Sequence, residues 1–209
     1  MSSSCENNCA ADALRDKHKG TLQAVLAINA VMFVVIVIAA QYAGSSALFA
    51  DSLDNLGDAL TYGLSLAVVG GTAVAKARVA LFKGVLILLA ALLVSAQIVQ
   101  KLLAPEMPIF ELMGIFSLIA LAANSLCLGL LWRHRNDDLN MSSVWECSRN
   151  DIAVNISVFL SAGLVWLFNA GWPDIVVASI LVAMLLRSSA RVITASMREV
   201  QLIPGSSSG

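Results

Sequence analysis

Charged side chains are scarce in this chain of 209 residues: they make up 13% of it, where a soluble domain carries about 25%. The shortfall excludes an ordinary water-facing surface, and with a hydrophobic content of 58% it marks an integral membrane protein. Basic residues are spread rather than clustered and the net charge is −1, so neither nucleic acid nor an acidic partner is expected. Cysteine is limited to Cys5, Cys9, Cys127 and Cys147. The N-terminus is polar for some twenty residues before the first apolar run and does not read as a secretory leader, so no disulfide framework is expected. Cys127 falls in an apolar run and reads as a small packing residue.

What the chain has in quantity is long apolar segments. Six are legible, at residues 22–43, 47–71, 79–103, 109–133, 143–168 and 174–194. Each is near the roughly twenty residues that cross a hydrocarbon core of about 30 Å. The sequence therefore predicts an all-α integral membrane protein with six transmembrane helices. Residues 1–20 form a polar tail, 21–198 the membrane domain and 199–209 a short tail whose Gly205-Ser206-Ser207-Ser208-Gly209 reads as a cloning remnant. Tyr42-Ala43-Gly44-Ser45-Ser46, Ala104-Pro105-Glu106-Met107-Pro108 and Gly171-Trp172-Pro173 read as short turns on one side. Arg15, Lys17, Lys19, Lys76, Arg78, Lys83, Arg133, Arg135, Arg187, Arg191 and Arg198 fall on the other. Of 13 basic residues only Lys101 goes to the turn side and only Arg149 enters a span. By the positive-inside rule both termini are cytoplasmic, which makes this a multi-pass protein of the inner, or cytoplasmic, membrane.

The second span contains Ala50-Asp51-Ser52-Leu53-Asp54-Asn55-Leu56-Gly57-Asp58. Each ionised carboxylate at the centre of a span costs roughly 2.5 to 3.5 kcal/mol, so something must offset three of them. Residues four apart share a helical face; Asp54 and Asp58 point together and can share a cation, with Asp51 continuing the stripe. The fifth span carries a similar anomaly, Cys147-Ser148-Arg149-Asn150-Asp151, again with two donors four apart. Each pair lies in the middle helix of a three-helix half, and halves of three cross the membrane in opposite senses, as in transporters built from inverted repeats.

Asp54, Asp58, Cys147 and Asp151 together offer four ligands for a tetrahedral divalent ion, and a thiolate favours zinc or cadmium over magnesium, calcium or manganese. Three carboxylates beside a thiolate hold protons when no metal is bound; cation binding expels them, which couples the two as in an antiporter. The plainer readings stay open: Asp54 and Asp58 as satisfied polar packing groups, Cys147 as a small residue. Ser143 and Glu146 fit a capping box opening the fifth helix. Arg149 can snorkel or pair with Asp51 or Asp138. Asn155, four after Asp151, can orient that carboxylate by a hydrogen bond, while Asn29, Asn55, Asn124 and Gln41 read equally as glue between helices. Asp174 suits the N-terminus of the sixth helix. Cys5, Cys9 and His18 form either a weak metal-capture element or part of an inert tail.

The Ala50-Asp51-Ser52-Leu53-Asp54 run, with Asp58 after it, resembles the second-helix motif of cation diffusion facilitators, and Cys147 with Asp151 falls where their fifth helix carries His-x-x-x-Asp. The likeness spans residues from about Leu22 to about Arg198. It implies proton-coupled efflux of zinc, with cadmium or cobalt as alternatives, by alternating access; the metal is substrate, and no cofactor is implied. It also implies Asp54, Asp58, Cys147 and Asp151 as the transport site, and a homodimer in the bilayer. Cys147 in place of the usual histidine tilts the preference toward softer ions. Barely fifteen residues follow Ala195, so the resemblance is to members lacking a cytoplasmic C-terminal domain, and a dimer would be held through the membrane helices. Three other readings fit the same residues: an intramembrane aspartyl hydrolase using Asp58 and Asp151, a channel with a carboxylate ring, and a metal sensor or scaffold.

Overall fold

The computed structural model describes residues 15–67, 73–132 and 139–202, with the side chains of 15–19, 22, 64–67, 73–76, 139–148 and 199–202 outside the described set. Six helices fill these stretches, and among the described residues there is no strand. They are α1 (Arg15–Ala43), α2 (Ser46–Ala67), α3 (Ala73–Leu103), α4 (Phe110–Trp132), α5 (Leu139–Phe168) and α6 (Trp172–Leu202). Five of them, all but α2, are long and apolar enough to cross a membrane. The exception has a physical cause: Asp51, Asp54 and Asp58 fall within every membrane-length stretch of α2.

Several helices outrun the apolar segments that announce them. α1 begins at Arg15 inside the expected polar tail, and α6 runs on to Leu202. α5 begins at Leu139, so Ser143 and Glu146 lie inside the helix and do not open it as a capping box. The reason is common to all three: hydropathy marks the part of a helix that sits in hydrocarbon, whereas proline-free flanks carry the backbone ladder on beyond it.

Packing follows membrane rules. Small residues line the contacts between helices: Ala39, Ala40, Ala43, Ala47, Ala50, Ala90, Ala91, Ala120, Ala162 and Ala178 are all buried. Large apolar side chains such as Val31, Ile38, Leu92, Leu93, Leu102, Leu160 and Ile180 face outward. α1 packs chiefly on α2, α4 on α5 and α3 on α6, while α2 also meets α3, α5 and α6. The helix with the most acidic residues therefore has the most protein around it.

The three short turns gather at one end. α1 stops at Gly44, whose φ of 59° is open to a residue without a Cβ. Ser45 N–H donates to Ala40 O at 3.0 Å and Gly44 N–H to Gln41 O at 3.3 Å, the paired bonds of a Schellman stop. Ser45 then caps α2, its hydroxyl accepting from Leu48 N–H at 3.0 Å. Asp174 reaches across from the first turn of α6 to finish that cap. Its carboxylate accepts from Ser45 Oγ at 2.6 Å, Ser46 N–H at 2.9 Å and Ala47 N–H at 3.0 Å. Lys101, the basic residue on the unexpected side, donates to Asp174 Oδ2 at 3.1 Å and to Gly44 O. Asp174 thus serves a helix N-terminus as its carboxylate suits, but that of α2 rather than its own. Ile109 N–H donates to Ala43 O at 2.8 Å, tying the α3–α4 turn to the same end.

α3 and α6 approach closely at Gly84. A Cβ there would lie 2.8 Å from Ile193 Cγ1 and 3.3 Å from the Ile193 backbone nitrogen. Ser189 Oγ also donates to Gly84 O at 2.8 Å. Gly84→Ala is expected to push the two helices apart and cost about 1–3 kcal/mol, read as a lowered unfolding temperature in detergent.

Candidate functional site

Asp51, Asp54 and Asp58 follow one another at spacings of three and four, so α2 presents them as a stripe. Facing them is Asp151, about four turns into α5. Its carboxyl is placed to donate, in the protonated form, a hydrogen bond to the Asp54 or Asp58 carboxylate, and Asp51 lies within its electrostatic reach. Two carboxyl groups stay in such contact only when a proton or a cation stands between them. Along α2, Asp54 and Asp58 sit about 12 and 18 Å from the start of the helix, bracketing the middle of a hydrocarbon core about 30 Å thick. Among the described residues no three His, Cys, Asp or Glu side chains are set around a common point to hold one metal ion. The three carboxyls are hydrogen-bonding neighbours rather than a formed coordination shell.

Asp51 is more deeply placed than the position at the margin of the stripe suggested. It is 1% exposed, and its Oδ2 has no hydrogen-bond partner among the described residues. Asn155 is fully buried one turn beyond Asp151; its Nδ2 donates to the Asp151 backbone carbonyl at 2.8 Å, not to the carboxylate, and its Oδ1 has no partner. Asn55 turns in the same way, donating to Asp51 O at 3.1 Å, and Asn29 donates to Val25 O at 2.9 Å. Each of these amides spends one of its two hydrogens on its own helix, leaving the other hydrogen and the carbonyl oxygen for whatever lies beside it.

A family model for a cation efflux transmembrane domain matches residues 22–200. The chain belongs to the cation efflux family. Members of that family transport metal cations, so the protein is a multi-pass membrane transporter of metal cations. No curated protein matches it. In a cation transporter, a cation passing through the bundle is one thing that can offset the cost of several carboxylates held together there.

Not every residue singled out in the sequence can be placed. Cys5 and Cys9 lie outside the described residues, as do the side chains of His18 and Cys147 and the whole of Asp138. Arg149 is exposed while Asp51 is buried. Cys127 is buried as a packing residue should be, yet the Asp58 carboxyl lies within its electrostatic reach. Lys83 is the residue that sequence reasoning missed. It was counted only as an orienting charge, but it extends from α3 toward α2, where its Nζ donates to Thr61 Oγ1. Asp54 and Asp58 are both within reach of its charge. The one signal in the sequence was its depth, five residues past its nearest basic neighbour at Arg78.

Proposed function

We propose that this chain exports divalent transition-metal ions, zinc foremost with cadmium or cobalt as alternatives, in exchange for protons. The ion is held between α2 and α5 by Asp54, Asp58, Cys147 and Asp151. In this reading α2 is a sixth span, both termini are cytoplasmic, and the membrane is the inner one. Residues 21–198 form the transport domain between a cytoplasmic tail and a short C-terminal tail, and two copies pair through their membrane helices. The observation that carries the proposal is the meeting of the Asp151 carboxyl with those of Asp54 and Asp58 across two helices. Groups in that contact hold hydrogen ions until a dication displaces them, which links the two fluxes in opposite directions. Asp51 Oδ2 and Asn155 Oδ1 supply oxygens one turn further toward the turn-bearing end, where the ion passes on its way out.

The test is metal flux into proteoliposomes with an internal pH indicator. Saturable zinc movement with opposed proton movement supports the reading. Non-saturating flux without protons would make the protein a channel, and tight binding without flux a sensor. The thiolate gives a second handle: Cys147→His is expected to keep zinc transport and to lower the cadmium-to-zinc rate ratio by about tenfold, because imidazole is a harder donor. An unchanged ratio would remove Cys147 from the ligand set.

A further inference from the structure

The side chain left over by this account is Lys83. α3 is pinned at the next residue by Gly84, which lies against Val192 and Ile193 and accepts from Ser189 Oγ, so the backbone that carries Lys83 has a fixed position. From there the half-buried ammonium crosses to α2 and donates to Thr61 Oγ1, whose own hydrogen goes to Gly57 O at 2.7 Å. Thr61 is three residues after Asp58, so it stands over the same face, with neighbouring Cβ atoms about 5–6 Å apart. Lys83 is about 30 Å along α3 from Leu103 at the turn-bearing end, whereas Asp58 is about 18 Å along α2 from that end. The ammonium therefore approaches the carboxylates from the end of the bundle opposite the buried Asp174 cap.

We propose that Lys83 is an internal cation of the transport cycle: it stands over Asp54 and Asp58 when no metal is bound, gives way to the arriving dication and helps displace it afterwards. The proposal rests on the site assigned above. It makes Lys83 a positioning and specificity residue, not a ligand, since an ammonium has three donors and no lone pair. A tethered unit charge competes with the metal for the same carboxylates and repels it directly. Its removal therefore tightens ground-state binding and slows release.

Lys83→Gln and Lys83→Met both remove the charge, and Met keeps most of the apolar stem, so misfolding of one leaves the other to be read. Zinc binding to the purified full-length chain is measured by calorimetry, and zinc flux in proteoliposomes. Either variant is expected to lower Kd and KM for zinc by at least about tenfold, well within what one charge a few ångströms away exerts on a dication at intermediate dielectric, while kcat falls. Lys83→Arg restores both values toward wild type, because it restores the charge. Thr61→Val, which removes the hydrogen bond and leaves the ammonium, stays near wild type. An unchanged or raised KM in both neutral variants overturns the proposal, and so does a Thr61→Val chain that behaves like Lys83→Gln. Failure of the underlying site looks different: Asp151→Asn would then transport zinc normally.

Discussion

Asp151→Asn is expected to reduce zinc flux by at least about 100-fold, the upper end of what losing a supporting partner alone costs a metal site. The substitution is nearly isosteric, so the packing of α5 on α2 is retained. What disappears is the group that meets both Asp54 and Asp58 and lies within reach of Asp51. An amide can still bond to a neighbouring carboxylate, but it brings no negative charge to a dication and releases no proton when one binds. Stability is expected to hold or to rise slightly, because one of several crowded acidic groups has been made neutral. Flux in proteoliposomes together with an unfolding temperature separates the two effects. A folded Asp151→Asn chain that carries zinc within a few-fold of wild type would remove α5 from the site. Asp54→Ala is the companion on α2 and is expected to behave likewise.

The second large effect concerns stability. Asp174→Ala is expected to destabilise the chain by about 3–5 kcal/mol, the scale for removing one partner of a buried ion pair. Asp174 is fully buried and Lys101 is 6% exposed, so the orphaned ammonium has little water to turn to. The same substitution strips the first N–H groups of α2, at Ser46 and Ala47, of their acceptor. Because the two losses are coupled, adding Lys101→Met to Asp174→Asn is expected to recover a large part of the loss. That double change removes both charges and leaves an oxygen for the helix terminus. Thermal unfolding of wild type, Asp174→Asn, Lys101→Met and the double variant in one detergent gives the coupling directly. A single-variant loss below about 1 kcal/mol would place the pair among exposed ion pairs, which contribute little.

The parts of this protein that were legible in its sequence are those that repeat along one helix. The apolar segments, the 51/54/58 stripe and the place of Asp151 on α5 all lie within single elements, where a period of 3.6 residues converts spacing into direction. Turn chemistry was readable for the same local reason, as at Gly44 and Ser45. Contacts between helices were not. Asp174 and Lys101 are 73 positions apart, Asp174 and Ser45 129, and Lys83 and Thr61 22, and no local pattern connects them. Asp174, Lys101 and Lys83 each looked like a surface or terminal charge until its neighbour was known. Helix ends were misplaced wherever the ladder continues past the apolar stretch, at Arg15, Leu139 and Leu202. Asn155 shows a subtler limit: its spacing put it beside Asp151, but a carbonyl of its own helix took its amide hydrogen.

The alanines that line the helix contacts bear on how such a bundle moves. Ala39, Ala40 and Ala43 of α1 and Ala47 and Ala50 of α2 are all buried, and each offers only a methyl group with no rotamer to change, though Ile36 and Leu48 are buried among them. A seam this rich in methyl groups lets packed helices slip along their axes by about an ångström with few side chains changing rotamer, the small-amplitude shear of closely packed helices. A leucine-toothed seam would have to jump between discrete registers instead.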